Sequence, residues 1–508
     1  MHHLMKPFHL LVVMVLSTAL FTMTGCGGGG VSSTNTNVPA TGPTATPTPT
    51  TPSPATPTPT PTPTPVPTST GTLQTSINHV LIMMQENRSF DSYFGFMTQY
   101  RQNHGIPINS SDGKIFDLSD PAAQTAGSKN GIMPYHTGSV CTEDLTPDWA
   151  ESHHEMDLNQ PANAGPGAPM DGFVATARGI GISLGNILAD KNGHRAMGIF
   201  DDSQLNFYYA TASNFAMGDA FYSPVPTRTG SNRLFIHAAT AQGIVHADTS
   251  ITAQLTAKTI WHALDDANVS WKIYISDFGI NNFTFFDFFT DSNAPSRQAN
   301  IVPIAQYFTD VQNGTLPSVA FIETGLHTGR DEHPTNNNGS QPVPIGQAID
   351  IQAGAAWTAQ IVNALMSSPS WKDSAFFWMF DEGGGAFDHM PPISVPSPDG
   401  IKPIDFDVQK DCFGGSCSIF SFDITGFRVP NFIVSPFSKM NFVSHTPMDY
   451  TAVLKFVETR FGLAPLTNRD ASMPDMTEFF DFTNGGPWAT PPAAVTQRRD
   501  GVCDFTKE

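Results

Sequence analysis

The stretch IMMQENRSFDSYFG, residues 82–95, joins an apolar run to a dense group of polar side chains. The run HVLIMM (79–84) has the length and the content of β-branched and apolar residues that are typical of a buried strand. Glu86, Asn87 and Arg88 follow it almost at once. A buried carboxylate is costly unless a cation or hydrogen bonds compensate its charge. The stretch therefore predicts a buried strand that ends at a polar site.

Similar apolar runs recur along the chain and alternate with helical patterns. Runs that predict strands occupy residues 269–275, 318–323, 375–380 and 431–436, and helical spacing of apolar residues is found at 256–268 and 348–368. Strands that alternate with helices form a mainly parallel sheet with helices on both of its faces. We therefore expect an α/β fold.

Acidic residues stand at the ends of two further predicted strands. Glu323 ends the run at 318–323, and Asp381 and Glu382 follow the run AFFWMF at 375–380. In open α/β sheets, ligands bind beyond the carboxyl ends of the strands. The sequence thus predicts several carboxylates at one edge of the sheet.

The string DEGGGAFDH, residues 381–389, continues from the second of these strand ends. Its three glycines allow the backbone to turn sharply and to pass close to a ligand. Asp388 and His389 then return towards the same place. A solvated turn with a glycine-rich tip is the alternative interpretation.

Hydroxyl side chains precede an apolar run in the segment SPVPTRTGSNRLFIHAAT, residues 223–240. Thr227, Thr229 and Ser231 stand where a loop turns into a predicted helix. Such a hydroxyl is either a helix cap or a nucleophile, if a metal lowers its pKa and helix N–H groups hold the attacked anion. The loop GRDEHPTNNNG places His333 among acidic and amide groups, where it is either solvated or part of a site.

The overall composition limits the classes of partner. The chain has 508 residues, of which 40% are hydrophobic and 14% charged, so a large core is possible. Its formal net charge is −20. Nucleic acids and anionic membrane surfaces require a basic face, and we therefore expect neither as a partner.

The N-terminus has the pattern of an export signal. A basic residue precedes an apolar run at 10–20, and the sequence TMTGC ends in Cys26. We expect a signal at residues 1–25 with a lipobox-like end, or a plain signal with an incidental cysteine. Residues 26–74 are rich in Gly, Ser, Thr and Pro and predict a disordered tether, followed by one domain at 75–508. The protein is therefore expected to be a lipoprotein of the outer membrane or cell surface, anchored in the membrane through a lipidated Cys26, or to be secreted or periplasmic.

The remaining cysteines form an even set, as expected of an exported protein with disulfides. They are Cys141, Cys412, Cys417 and Cys503. A short loop between Cys412 and Cys417 and a long one between Cys141 and Cys503 are one possible pairing. Spacing alone leaves the connectivity open.

Six blocks of sequence together resemble one known family. In chain order they are QENRSFDSYFG, PTRTGSNRLFIHAAT, DEHP, SSPSWKDSAFFWMFDEGGGAFDHMPP, PSPDG and VSPFSKMNFVSHTPMDYTAVLKFVETRFGL. They are similar to the bacterial phospholipase C and acid phosphatase family of phosphoesterases, which is related to the plant non-specific phospholipases C. The resemblance runs from about residue 77 to about residue 482. It implies an alkaline-phosphatase-like α/β fold with inserted loops.

The resemblance also implies a site. A divalent metal would be held by Glu86, Asn87, Thr229, Asp381 and Glu382. Thr229 would be the nucleophile, although counting from the preceding Pro-Thr nominates Thr227 instead. His333 would contact the phosphate or donate a proton, and the side chains expected to bind substrate are His153, Asn232 and His389. The oxygen ligands suit Ca²⁺, Mg²⁺ or Mn²⁺, with Zn²⁺ and Fe remaining open.

Two positions depart from the family pattern. Many members have the sequence Asp-His-Ser-Trp before the nucleophile, and here Pro147 takes the place of that histidine. His153, further along TPDWAESHHEMD, is the expected substitute. Ser231 replaces the usual proline before Asn-Arg.

The function implied is hydrolysis of phospholipid phosphodiesters through a phosphothreonine intermediate. An acid phosphatase acting on phosphomonoesters is the alternative, and a non-catalytic surface lipoprotein that binds a ligand is a second one. The segment FGINNFTFFDFF (278–289) bears on this choice. Its phenylalanines form either a buried satellite core or a rim that contacts acyl chains or a membrane.

Overall fold

A computed structural model describes residues 70–183, 188–246, 255–335, 348–406, 411 and 422–508 of the chain. The predicted export signal, the tether up to residue 69, Cys26, Cys412 and Cys417 lie outside these residues. The expectations that concern them therefore stay expectations.

The strands that the structure describes are numbered in chain order. They are β1 (His79–Gln85), β2 (Tyr135–His136), β3 (Gly198–Ile199), β4 (Met217–Gly218), β5 (Phe221–Tyr222), β6 (Trp271–Ile275), β7 (Ile301–Pro303), β8 (Val319–Glu323), β9 (Ser374–Phe380), β10 (Asn431–Val434), β11 (Val443–Ser444) and β12 (Met448–Asp449).

The α-helices are numbered in the same way. They are α1 (Leu73–Ser76), α2 (Phe90–Phe94), α3 (Met97–Asn103), α4 (Pro121–Lys129), α5 (Trp149–Met156), α6 (Phe173–Ser183), α7 (Asn206–Asn214), α8 (Thr229–Ala238), α9 (Ile260–Asp266), α10 (Pro295–Gln298), α11 (Ile304–Asn313), α12 (Ile351–Met366), α13 (Thr451–Phe461) and α14 (Asn468–Ser472). Short 3₁₀ helices span Pro161–Asn163, His194–Met197, Phe285–Phe288, Trp371–Asp373 and Thr477–Phe479.

Six strands form the central sheet, in the order β10-β9-β1-β8-β6-β7. All neighbouring pairs are parallel except β10 and β9, which are antiparallel. Every residue of β8 and β9 is buried, and so are six of the seven in β1. Strands buried in this way must be covered on both faces, and the predicted mainly parallel α/β sheet is confirmed.

The register of the sheet brings the strand ends together. Gln85 at the end of β1 is paired with Phe380 at the end of β9, and Met84 is paired with Glu323 of β8. The residues that follow β1 and β9 therefore leave the sheet side by side. Glu323 stands at the same edge, on the other side of β1.

A second, smaller core supports the turn that follows β9. It includes Leu145, Met156 and Phe173, together with Ala386 and Phe387 directly after the glycine-rich string. The main core contains the strands of the sheet. The segment around α5 is thus packed against the edge of the sheet where the acidic strand ends meet.

The described fold begins a few residues before the predicted boundary at residue 75. The Gly71 N–H donates to the carbonyl of Phe482 over 3.0 Å, and the side chain of Leu73 is buried.

A disulfide joins Cys141 to Cys503. Such bonds persist in oxidising compartments, and the export expected from the sequence stays a prediction. Among the described residues, no helix is both long and apolar enough to span a membrane.

The phenylalanine-rich segment is mostly core. Phe285, Phe286, Phe288 and Phe289 are buried, as the satellite-core interpretation requires. Phe278, at the start of the segment, is exposed. The alternative interpretation, a rim that contacts acyl chains or a membrane, therefore applies only to the loop directly after β6.

Candidate active site

The ends of β1 and β9 deliver four polar side chains to one place: Glu86, Asn87, Asp381 and Glu382. The Asn87 N–H donates to Oδ1 of Asp381 over 3.3 Å, and the Glu382 N–H donates to the same atom over 2.9 Å. All four residues are buried. The parallel register therefore produces the cluster expected from the sequence.

The glycine-rich turn packs directly against this cluster. Asn87 has a left-handed backbone with φ of 60°, which is uncommon for a residue other than glycine. Gly384 has φ of 65°, and a Cβ atom there would lie 2.5 Å from the carbonyl oxygen of Asn87. Only glycine fits this approach. The turn thus closes over the end of β1.

Thr229 is the first residue of α8 and reaches the cluster from a helix. Its hydroxyl donates to Oε1 of Glu382 over 3.0 Å and lies 3.4 Å from Oδ1 of Asn87. Arg228 occupies the N-cap position, and no side chain caps the helix. The first N–H groups of a helix attract anions. A hydroxyl, three carboxylates and an anion-attracting helix end therefore meet at one point.

Arg233 lies one turn after Thr229 on the same helix and pairs with three carboxylates. Its guanidinium contacts Glu86 over 3.0 Å, Glu323 over 2.9 Å and Asp381 over 3.2 Å. Only 1% of the Arg233 side chain is exposed. One buried cation thus serves three buried anions, and Glu382 adds a fourth acidic group.

The excess of negative charge appears in the pKa values of these groups. Burial, and then the neighbouring Glu86, raise the pKa of Asp381 to about 7 although Arg233 opposes this. Burial and the charges of Asp381 and Glu86 raise the pKa of Glu382 well above its usual range. Burial also raises the pKa of Glu86, and that of Glu323 to about 7. Without a further cation, ionisation of all of these carboxyl groups would have a large free-energy cost.

The residues present fit a divalent cation. Carboxylate, amide and hydroxyl oxygens are the donors preferred by hard cations. Oε2 of Glu382 is buried and has no hydrogen-bond partner among the described residues. An orphaned buried carboxylate oxygen is costly unless a cation binds it. Glu86, Asn87, Asp381, Glu382 and Thr229 would hold that ion.

A second acidic cluster lies behind the turn. Ligand atoms of Asp91, Asp388 and His389 lie within 4.8 Å of one another, so this cluster could also hold a metal. Arg428, however, already contacts Asp91 over 2.8 Å and Asp388 over 2.9 Å. The Arg428 guanidinium thus already supplies positive charge to this second cluster.

His333 approaches the site on the loop after β8. Its Nδ1 donates to the carbonyl of Pro334 over 2.6 Å, which leaves Nε2 for chemistry. Burial disfavours the charged ring, but Asp144 and Glu86 outweigh it and raise the pKa of His333. The preceding Glu332 anchors the loop by accepting a hydrogen bond from Tyr93 over 2.6 Å. A protonated imidazole next to the carboxylates is suited to proton donation.

The two candidate nucleophiles are distinguished by their contacts. The hydroxyl of Thr227 is buried and donates to the carbonyl of Val245 over 2.8 Å, away from the carboxylates. Thr229 alone of the two contacts the acidic cluster. Ser231, where the family has proline, donates to the carbonyl of Ile244 over 2.8 Å and ties the same turn down.

The amide of Asn232, which was expected to bind substrate, makes hydrogen bonds to the backbone around it. Its Nδ2 donates to the carbonyl of Thr227 over 2.7 Å, and its Oδ1 accepts from the N–H of Val225 over 3.2 Å. The side chain is fully buried. Asn232 therefore shapes the turn before Thr229, because its amide is used by the backbone.

His153 and His389, also expected to bind substrate, are both buried, and that role stays a prediction. His153 is buried and donates from Nδ1 to the carbonyl of Trp149 over 2.6 Å, and burial lowers its pKa to about 4. It is therefore neutral and is not a cation for phosphate. The ring of His389 is fully buried and pairs with Asp91 over 2.6 Å.

Arg233 and Glu323 are the site residues without an assigned role in the sequence analysis. Arg233 lies four residues after Thr229, and residues at this spacing share one face of a helix. This spacing was the sequence feature that could have placed Arg233 on the same side of the helix as Thr229. Glu323 was visible as an acidic strand end, but only the sheet order places it next to β1.

Comparisons with known proteins agree with the motifs. A sequence model of the phosphoesterase family matches residues 77–464. A Mycobacterium tuberculosis protein named phospholipase C B is 27% identical over 445 residues, which cover 80% of this chain and 78% of that protein. Non-specific phospholipase C1 of Arabidopsis thaliana is 27% identical over 441 residues, covering 80% and 72%. A solved structure of an alkaline phosphatase superfamily protein from Vibrio parahaemolyticus is 12% identical, with a TM-score of 0.31, and covers 71% of this chain and 80% of that one.

Replacement of Arg233 by Met should destabilise the protein strongly. It leaves three buried carboxylates without their cation, a change that typically costs about 3–5 kcal/mol. We expect the urea midpoint of unfolding to fall accordingly, and to fall less for R233K. Arg498→Ala, which removes an exposed pair with Asp500, is the matched control and should leave the midpoint almost unchanged. Equal midpoints for R233M and the control would contradict this charge balance.

Proposed function

The chain belongs to the phosphoesterase family and is a phosphoric ester hydrolase, and on that premise we propose that it cleaves phospholipid phosphodiesters with Thr229 as the nucleophile. The main support for the proposal is the position of Thr229 at the N-terminus of α8, where no side chain caps the helix. Its hydroxyl donates a hydrogen bond to Glu382. A phosphoryl group next to this hydroxyl would meet helix N–H groups that stabilise its negative charge.

The first half of the proposed reaction transfers the phosphoryl group to the protein. Oγ1 of Thr229 attacks phosphorus, and its proton passes along the hydrogen bond to Glu382. The bond from phosphorus to the leaving oxygen breaks, and Nε2 of His333 protonates that oxygen. General acid catalysis of this kind contributes on the order of 10²–10⁴-fold. A bound divalent cation would supply charge stabilisation at the phosphoryl oxygens and would lower the pKa of the hydroxyl.

The second half releases the phosphoryl group. His333, now neutral, removes a proton from water, and the water oxygen attacks phosphorus. The bond to Oγ1 of Thr229 breaks, and the threonine recovers its proton. Two in-line displacements at one phosphorus atom give overall retention of configuration.

The alternatives differ in what they require of this site. A non-catalytic binding protein would not need Thr229, Glu86, Asn87, Asp381 and Glu382 to be present and to converge. A phosphatase acting on monoesters would use the same residues and would differ only in the surroundings. The exposed loop after β6 favours a lipid substrate: Phe278 and Ile280 are 42% and 71% exposed at the edge of the sheet that carries the site.

Removal of the Thr229 hydroxyl tests the assignment of the nucleophile. Thr229→Ala should lower turnover of p-nitrophenyl phosphate and p-nitrophenyl phosphorylcholine on the order of 10³-fold or more, while T229S retains activity. Thr227→Ala is the matched control, because its hydroxyl is bonded to Val245 and points away from the cluster. Full activity of T229A, or equal losses in T229A and T227A, would refute the assignment.

Metal binding should stabilise the protein more at high pH than at low pH. In the metal-free protein, Asp381 has a pKa of about 7, above its usual value of 3.8. The folded state therefore gains stability from the bound proton at low pH and loses it as the pH rises through about 7. A metal must displace that proton, so its apparent affinity should fall roughly tenfold per pH unit below about pH 7.

Melting curves of metal-saturated and chelated protein give the measurement. The difference between the two melting temperatures should grow from about pH 5 to about pH 8. A difference that is absent at every pH, or that shrinks as the pH rises, would contradict the metal site.

The apolar loop tests the substrate class. Replacing both Phe278 and Ile280 by Ser should lower hydrolysis of phosphatidylcholine vesicles on the order of 100-fold or more, because each side chain contributes about 1.5–3 kcal/mol when buried in lipid and about 1.4 kcal/mol is a factor of ten. Turnover of p-nitrophenyl phosphate should be unchanged. The control is Val502→Ser, another exposed apolar residue. Equal vesicle activity in the loop variant and the control would favour a soluble monoester substrate.

A further inference from the structure

A buried carboxylate stands directly before His333 in the loop after β8. Glu332 accepts hydrogen bonds from the hydroxyl of Tyr93 over 2.6 Å and from Nε2 of Gln85 over 2.8 Å. The hydroxyl of Tyr208 donates to the same carboxylate. These three donors come from α2, β1 and α7, and the Glu332 side chain is fully buried between them. A buried network of this kind holds its members rigidly.

The backbone of Glu332 is fixed as well. Its φ of 71° is left-handed, which is uncommon for a residue that carries a side chain. The guanidinium of Arg88 donates to its carbonyl over 3.0 Å, and the preceding carbonyl, of Asp331, accepts from the N–H of Glu86 over 2.8 Å. Such a backbone conformation persists only where the surroundings enforce it. The loop is thus tied to the residues that follow β1.

Helix α12 leaves room for the Glu332 side chain. A Cβ atom at Gly354 would lie 2.2 Å from Cγ of Glu332, so only glycine allows the carboxylate to pass the helix at this point. One turn later, Oγ1 of Thr358 forms a hydrogen bond with the hydroxyl of Tyr208 over 3.0 Å. The helix therefore admits the carboxylate and also holds one of its donors.

His333, the next residue, lies close to the acidic cluster. Burial raises the pKa values of Glu86 and Asp381, and the charge of His333 is one of the influences that oppose this rise. The imidazole is held by the carbonyl of Pro334, its own neighbour in the chain, so the position of the ring follows that of the loop. A general acid must lie within hydrogen-bond reach of the oxygen that it protonates, and a small displacement is costly.

We propose that Glu332 is a positioning residue that holds His333 where its imidazole can protonate the leaving oxygen. The contacts that do this are the hydrogen bonds of its carboxylate with Tyr93, Tyr208 and Gln85. This inference rests on the proposed function, in which His333 is the general acid. Glu332 acts through the backbone that it shares with His333 and takes no proton in the reaction.

Two aryl phosphates with different leaving groups test the proposal on the full chain with its bound metal. p-Nitrophenolate leaves readily without protonation, whereas phenolate is a poor leaving group that needs a general acid. Glu332→Gln should lower kcat/KM for phenyl phosphate on the order of 10²-fold, and for p-nitrophenyl phosphate by less than about threefold. His333→Ala should show the same selective loss. The variant E332Q/H333A should lose no more than H333A alone, because Glu332 acts only through His333.

The tyrosines provide milder variants and a control. Tyr93→Phe and Tyr208→Phe each remove one donor and keep the volume of the ring, and should lower kcat/KM for phenyl phosphate several-fold while sparing p-nitrophenyl phosphate. Tyr307→Phe is the matched control, because this buried hydroxyl donates to the carbonyl of Ile361 over 2.9 Å. It should leave the ratio of the two kcat/KM values unchanged.

Equal fractional losses on both substrates in E332Q would overturn the proposal, since a loss of folded protein affects both alike. If E332Q does not fold, the same result in Y93F and Y208F overturns it. An additive loss in E332Q/H333A would also contradict it. If H333A is selective and E332Q is not, the inference alone fails. If H333A shows no selective loss, His333 is not the general acid of the proposed reaction, and the inference fails with it.

Discussion

The pairing of one buried arginine with several buried carboxylates is the constraint on which the rest of the site depends. Arg233 contacts Glu86, Glu323 and Asp381, and Glu382 stands beside them with an unpartnered oxygen. One cation cannot balance four acidic groups in a medium of low polarity. The edge of the sheet therefore carries negative charge that Arg233 does not fully compensate. A divalent ion beside the Thr229 hydroxyl would compensate the rest.

The register of the sheet brings these acidic residues together. Because β1 and β9 run parallel with Gln85 opposite Phe380, the residues after each strand must leave the sheet together. The left-handed backbone of Asn87 and the close approach of Gly384 then fold the two ends against each other. Helix α8 completes the arrangement, since Thr229 and Arg233 lie one turn apart on the face that meets the strand ends. Strand order, turn and helix thus converge on one hydroxyl.

Much of this arrangement could be predicted from the sequence, and the failures have physical reasons. The sequence was sufficient to predict that Glu86, Asn87, Asp381 and Glu382 lie together. Apolar strands end abruptly in these polar residues, and parallel strands share one carboxyl edge. The roles of Arg233 and Glu323 needed the strand order, which no local pattern encodes.

Asn232, His153 and His389 show where local sequence patterns are less informative. Asn232 directly precedes Arg233 in the sequence, but neighbouring side chains on a helix point to different sides. His389 follows the glycine-rich turn, and its ring pairs with Asp91. His153 is on a helix whose packing buries it and removes its charge. Chemical type and proximity along the chain were therefore sufficient for strand ends and insufficient for helices and loops.

The proposed reaction requires a covalent bond between Thr229 and phosphorus. Acid quenching during turnover of p-nitrophenyl phosphate, followed by peptide mass spectrometry, would detect this bond. We expect a phosphoryl group on Thr229 of the unchanged protein, and none on the same peptide from T229A. A phosphoryl group on another residue, or none on Thr229 while turnover is limited by release of that group, would contradict it.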